Sequence, residues 1–299
     1  MISVRYDEIA LKSRFVRNRF EKILTGNMDR VLRRDFDGNF RIRRGYGRIY
    51  IDSASHSESF SEEELRIARR ISKVFGVVSA DVSVKMELDL EENARRIAEI
   101  FENVKGRTFA VRVKRTGRHS FTSMDAARII GREVVKKGGM VDLKNPEVEI
   151  SVEIRDSDLY LITDSFRGFR GLPVGTQERV LCILSDEKSL LSSWYALKRG
   201  CDIDVLMNPE FSWMLDVLSY WASYREIRSF ESDGNLDEML ENAYESGYKA
   251  IFCSISSDEL DRYSELLRKR KMPVFMPLLP FSGDEIEKKL LLIKGEVDG

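Results

Sequence analysis

The sequence predicts a mixed α+β N-terminal half followed by an α/β doubly wound domain, and three observations predict it. In the first half, short strands come in hairpin-like pairs, at residues 40–51 and 147–162. Beyond residue 179, strands alternate one by one with helices, the pattern of a parallel sheet covered on both faces. Between the two patterns runs a connector, residues 168–178, punctuated by Gly168, Gly171, Pro173 and Gly175.

Residues 2–6 read as a short strand, and from Lys12 onward Val16, Phe20, Ile23, Leu24 and Val31 recur at helical spacing. Strands at 40–42 and 48–51 are joined by the turn Gly45-Tyr46-Gly47, and a helix at 65–75 stops at Gly76. A second unit starts near Val77, with a helix over 89–105. In the strand 108–114, Phe109, Val111 and Val113 face one way and Ala110, Arg112 and Lys114 the other. Thr122 and Asp125 have capping-box spacing ahead of a helix carrying Ala127, Ile130 and Val134. Strands at 147–154 and 159–162 flank the turn Asp156-Ser157-Asp158. In the last part, the all-apolar run 180–184 suits the centre of a parallel sheet. Further strands are expected near 202–207, 226–230, 249–255 and 274–279. Helices are expected to Arg199, then near 211–221, 236–245, 259–271 and 284–294. The expected domains are therefore 1–76, 77–167 and 179–299, with 168–178 as connector.

The 299 residues are 42% hydrophobic and 33% charged, which describes a globular chain rather than a disordered one. No apolar run reaches the roughly 18 residues that cross a bilayer, and the N-terminus has no secretory pattern, so a cytoplasmic protein without membrane contact is expected. Three cysteines without CxxC spacing and two histidines argue against a disulfide framework or a metal site. His56 lies among serines and His119 lies in a basic loop, so no base–nucleophile pair is evident. The net charge of −1 conceals a split: residues 1–175 carry 34 Lys and Arg against 27 Asp and Glu, leaving the remainder acidic. Such asymmetry points to a polyanionic partner.

The densest basic cluster is Arg112, Lys114, Arg115, Arg118 and His119. Cations on a strand and its adjoining loop can track a phosphate backbone, and Phe121 at the loop's end could stack on an unpaired base. Arg14 and Arg17 on the first helix could widen that surface.

The segment TFAVRVKRTGRHSF, its capped helix, and the strands VDLKNPEVEISVEI and DLYLI resemble a THUMP domain. The preceding VRYDEIALKSRFVRNRFEKILTGNM resembles the ferredoxin-like domain of the tRNA 4-thiouridine synthase family. The connector GFRGLPVGTQERV is similar to the stretch leading into that family's PP-loop domain. The resemblance implies binding of the tRNA acceptor end by the first two domains. It also implies ATP-dependent adenylation of a tRNA uridine by the third, then sulfur transfer from a persulfide cysteine.

The residues at the expected catalytic positions depart from that family. Where it has an SGGxDS loop, this chain reads Ser185-Asp186-Glu187-Lys188-Ser189, with neither glycine. Without glycine the backbone cannot curl its N–H groups around a pyrophosphate, and carboxylates at a helix N-terminus compete with one. Ser185 and Ser189 read as helix caps. Cys182, Cys201 and Cys253 fall in or beside apolar strands, as buried small hydrophobes do. A tRNA-binding protein without its own adenylation, and so without cofactor, is expected, working beside a separate modifying or sulfur-transfer enzyme or as a homodimer. Two rivals stay open: an active sulfurtransferase that binds ATP through an atypical loop, and an interaction or metabolic module that binds no RNA.

Overall fold

The computed structural model describes residues 1–6, 8–45, 47–53, 62–268 and 272–298. The sequence expectations for Tyr46 and His56 therefore lie outside the described residues.

The N-terminal half is organised by one eight-stranded sheet. Its strands are β1 (Ile2–Arg5), β2 (Phe40–Gly45), β3 (Arg48–Ser53), β4 (Ser79–Glu87), β5 (Thr108–Thr116), β6 (Met140–Val141), β7 (Val148–Arg155) and β8 (Asp158–Arg167). Their spatial order is β2-β3-β1-β4-β8-β7-β5-β6. β4 is the shared member: it pairs antiparallel with β1 through Ile2↔Val82 and with β8 through Val84↔Leu161. The two units that the sequence separates near Val77 are thus continuous through hydrogen bonds.

Alternation decides the two faces of this sheet. Ile2, Val4, Ile49, Ile51, Ala80 and Val82 point to one side, where helices α1 (Arg14–Asp35) and α2 (Glu62–Ser72) supply Phe20, Leu24, Met28, Ile67 and Ile71. Further across the sheet, Phe109, Ile150, Val152, Leu159 and Leu161 meet Ala94 and Ile97 of α3 (Leu90–Ile100) and Ile130 and Val134 of α4 (Ser123–Lys136). The expected capping box starts α4: Thr122 Oγ1 accepts from Asp125 N at 3.1 Å, and Thr122 N donates to Asp125 Oδ2 at 2.9 Å. The two-residue β6 had no sequence signal of its own, because its exposed Met140 and Val141 show no alternation.

The C-terminal part holds a parallel sheet in the order β11-β10-β9-β12-β13: β9 (Val180–Leu184), β10 (Ile203–Met207), β11 (Ser229–Glu231), β12 (Ile251–Phe252) and β13 (Val274–Phe275). All five residues of β9 and of β10 are buried, as central strands require. Helices α5 (Lys188–Lys198), α6 (Met214–Trp221) and α9 (Gly283–Asp298) cover one face, and α7 (Leu236–Glu245) and α8 (Leu260–Arg268) the other. The outer strands are shorter than their apolar runs predict, since β12 and β13 share only two paired positions.

The connector fastens the halves together rather than linking them loosely. Gly168 N donates to Val78 O at 2.8 Å, and a Cβ there would stand 2.2 Å from Val77 O. Gly171 has φ +80, and a Cβ there would stand 2.3 Å from Lys198 O. Only glycine permits both approaches. Phe75, just past α2, is fully buried in the C-terminal core, with ring centroids 5.1 Å from Trp194 and 5.6 Å from Trp221. Trp221 is 0% exposed, and its Nε1 donates to Ile293 O.

Candidate nucleic-acid interface

Helices cover one side of the eight-stranded sheet, and the polar residues of the alternation stand on the other. Arg48 of β3 donates to both Glu153 oxygens of β7 at 2.7 Å. The strands are four steps apart in the sheet order, roughly 19 Å if it were flat, farther than an extended Arg and Glu reach together. The sheet therefore coils toward its bare side. Tyr50 and Tyr160 stack there with centroids 5.9 Å apart.

Inside the coil lies a 950 Å³ groove whose lining includes Arg5, Arg112, Lys114, Arg167 and Arg170, with Ser79, Ser151 and Ser165 on its floor. Arg5 is fixed, its Nε 2.6 Å from Ser79 Oγ and 3.1 Å from the buried Asp81 carboxylate. Arg112 leans on Glu149 at 3.2 Å and donates to Leu143 O at 2.7 Å. Lys114 and Arg167 are exposed and have no acidic partner among the described residues. Glu149 and Glu153 also line the groove, the latter occupied by Arg48 and Arg155.

The basic cluster read from sequence is divided by strand parity. Arg112 and Lys114 face the groove, whereas Arg115 shares the parity of Val113 and turns to the helical side. Its Nη1 lies 3.1 Å from His119 Nδ1, and His119 Nε2 lies 2.7 Å from Asp156 O. Phe121 packs partly buried against the core beneath α4, 5.3 Å from the His119 ring. One of its faces is thus already in use. Arg118 is exposed in the loop past β5, and Gly117 at φ +106 lets that loop turn beside Asp156. Arg14 and Arg17 belong to α1 in the helical layer, and neither lines the groove. Sequence reasoning missed Arg5, Arg167 and Arg170, three isolated arginines from β1, the end of β8 and the connector. They carry no local pattern and meet only through the sheet order.

At the C-terminal end of β9, where strand order reverses between β10 and β12, an open α/β sheet takes its ligand. Here the loop 185–189 bonds to itself. Ser185 N and Asp186 N donate to Ser189 Oγ at 3.1 and 3.2 Å, and Ser189 N donates to Asp186 Oδ1 at 2.9 Å. The expected capping roles of Ser185 and Ser189 are corrected: Glu187 precedes α5 and makes no side-chain cap bond, Ser189 lies within the first turn, and its Oγ accepts from the loop. Lys188 Nζ is 2.8 Å from Glu259, which also accepts from Ser256 N at 3.0 Å. Glu187 stands 3.9 Å from Lys294.

Cys182, Cys201 and Cys253 are all buried. Burial pushes the Cys201 thiol up to about 11 and that of Cys253 up to about 12, and it raises Cys182 as well. At neutral pH none is held as a thiolate. Among the described residues no group of three or more His, Cys, Asp or Glu is placed to hold a metal, and no helix is long and apolar enough to cross a membrane.

The first 80 residues match the ThiI ferredoxin-like domain family, and residues 84–164 match the THUMP domain family. A coiled sheet shared by those two domains and joined to a parallel α/β layer defines a THUMP-bearing protein. A probable tRNA sulfurtransferase of Sulfurisphaera tokodaii is 30% identical, over 93% of this chain and 82% of its own length. The chain belongs to the tRNA sulfurtransferase family. A second relative, the probable tRNA sulfurtransferase of Methanobrevibacter smithii, is 35% identical over 69% of this chain, and the chain spans about half of its length, 53%. A crystallised 4-thiouridine synthetase in complex with RNA and ATP shares the fold with a TM-score of 0.77, at 24% identity, over 99% of this chain and 85% of that one.

Proposed function

We propose that this protein holds the acceptor end of a tRNA against the bare face of its N-terminal sheet and does not itself adenylate it. The single observation that carries the binding half is the groove that gathers Arg5, Arg112, Lys114, Arg167 and Arg170 from three distant strands and the connector. Fixed cations beside exposed, unpaired ones suit a phosphate backbone, which needs both register and charge. Of the remaining cluster only Arg118 is exposed, in the loop past β5, whereas Arg115, His119 and Phe121 lie on the helical side; Arg14 and Arg17 would meet only a longer stretch of RNA. The THUMP match and the RNA-bound 4-thiouridine synthetase support the same reading.

The loop 185–189 supports the second half. An anion site at a helix N-terminus works because its N–H groups are unsatisfied. Here those of Ser185, Asp186 and Ser189 already have side-chain acceptors, and the Asp186 carboxylate takes the anion's place. With no thiolate among the three cysteines, sulfur would come from a separate enzyme. The rival, an active sulfurtransferase with an atypical loop, draws on family membership and requires ATP to displace this network.

Two measurements test the proposal. In filter binding across a salt series, Lys114→Ala with Arg167→Ala should weaken tRNA binding at least tenfold and flatten the log–log salt slope by about 2, one for each phosphate-binding cation removed. An unchanged affinity rules out the groove. In calorimetry, ATP with Mg²⁺ should give no heat attributable to the loop. Micromolar binding that vanishes in Lys188→Ala restores the active-enzyme reading.

A further inference from the structure

On the opposite side of the sheet from the groove, a second cavity of 450 Å³ lies between the ferredoxin-like helices and the C-terminal domain. It falls in the size range of small-ligand sites. Its basic wall is a helical stripe, Arg66, Arg69, Arg70 and Lys73, at spacings that place all four on one side of α2 and its continuation. Its aromatic wall is Phe36 at the end of α1, Tyr220 of α6, and Tyr224.

The inner charges are already balanced. Arg70 Nε donates to Asp35 Oδ2 at 2.6 Å, and its guanidinium lies 3.6 Å over the Tyr220 ring. The Tyr224 hydroxyl donates to Asp35 Oδ1 at 2.6 Å, and Lys73 pairs with Glu296. The outer charges are not balanced. Arg66 and Arg69 are exposed and have no acidic partner among the described residues, against one lining carboxylate, Asp216, that likewise has no cation.

The aromatic wall is held under strain. Ser223 and Tyr224 are consecutive non-glycine residues in the left-handed region, with φ +56 and +54. Such conformations persist where surrounding structure enforces them, and they cluster at ligand clamps. Tyr224 lines the cleft, with the Arg34 and Arg70 guanidinium groups 5.8 and 5.6 Å from its ring centroid.

We propose that this cleft binds a nucleotide unit, its phosphate between Arg66 and Arg69 and its base against the aromatic wall. Guanidinium groups recognise phosphate through paired charge-assisted hydrogen bonds, and every base offers a π-face to Tyr or Phe. The site lies apart from the groove and does not depend on it.

The probe is 5′-AMP, titrated into the full chain by calorimetry, with inorganic phosphate as comparison. AMP should bind measurably and more tightly than phosphate, and Arg66→Ala with Arg69→Ala should weaken it at least tenfold while leaving the ligand-free melting temperature unchanged. The groove variant Lys114→Ala with Arg167→Ala should bind AMP as the native chain does. Adding tRNA then distinguishes the source: displacement of AMP identifies a nucleotide of the bound RNA, and joint binding identifies a free nucleotide. Absence of AMP binding, binding that survives both arginine substitutions, or phosphate binding as tightly as AMP overturns the proposal.

Discussion

Phe75→Ala should lower the free energy of unfolding by about 3–5 kcal/mol, the range for emptying a buried aromatic site. The side chain belongs to the segment after α2, yet it sits inside the C-terminal core against Trp194 and Trp221. Trp221 cannot shift easily to fill the space, because its Nε1 is held by Ile293 O. The loss should appear in denaturant unfolding followed by tryptophan fluorescence. It should also reach the first domain, whose Asp35 is held from the C-terminal side by Tyr224. A variant that unfolds at the native midpoint would show that the halves are stable independently.

Glu153→Ala should cost about 3–5 kcal/mol, because it strands the buried Arg48 guanidinium. Arg48 and Glu153 are 7% and 6% exposed. Replacing both, as Arg48→Met with Glu153→Leu, should cost much less, since no buried charge is then left alone. The pair also sets a pH dependence. Burial pushes the Glu153 carboxyl up, but Arg48 and Arg155 outweigh it and hold it below the usual carboxylate range. A depressed carboxylate stabilises the fold above its unfolded pKa, about 4.3, and the contribution is lost as pH falls through the folded value. The native chain should therefore lose stability below pH ~4.3 more steeply than the double variant, as urea midpoints at several pH values would report. Equal slopes would mean the pair contributes nothing.

Much of this architecture is legible in the residues. The apolar run of β9, the alternation of β5 and the spacing of Thr122 and Asp125 each carry a local physical cause, and each element forms where that cause acts. Missing glycines in residues 185–189 likewise signal an altered loop. What local pattern cannot encode is which strand lies beside which. The role of β4 as a shared strand, and hence the meeting of Arg5, Arg167 and Arg170 with Lys114, depends on pairings between residues far apart in sequence, such as Val84↔Leu161. The side taken by Arg115 is different in kind: its parity with Val113 is visible in the sequence, and nearness to other cations is no guide to the face it takes. The hydrogen-bonded closure of the loop by Ser189 and Asp186 also lies beyond composition, because it depends on the side-chain directions that the first turn of α5 imposes.

The ladder from β1 through β4 to β8 leaves no hinge between the first two domains. Connector glycines pressed against Val77 and Lys198 remove the slack that a linker would give to the third. The molecule is in this sense a ruler. Whatever the groove holds is thereby kept at a set offset and bearing from the parallel α/β layer.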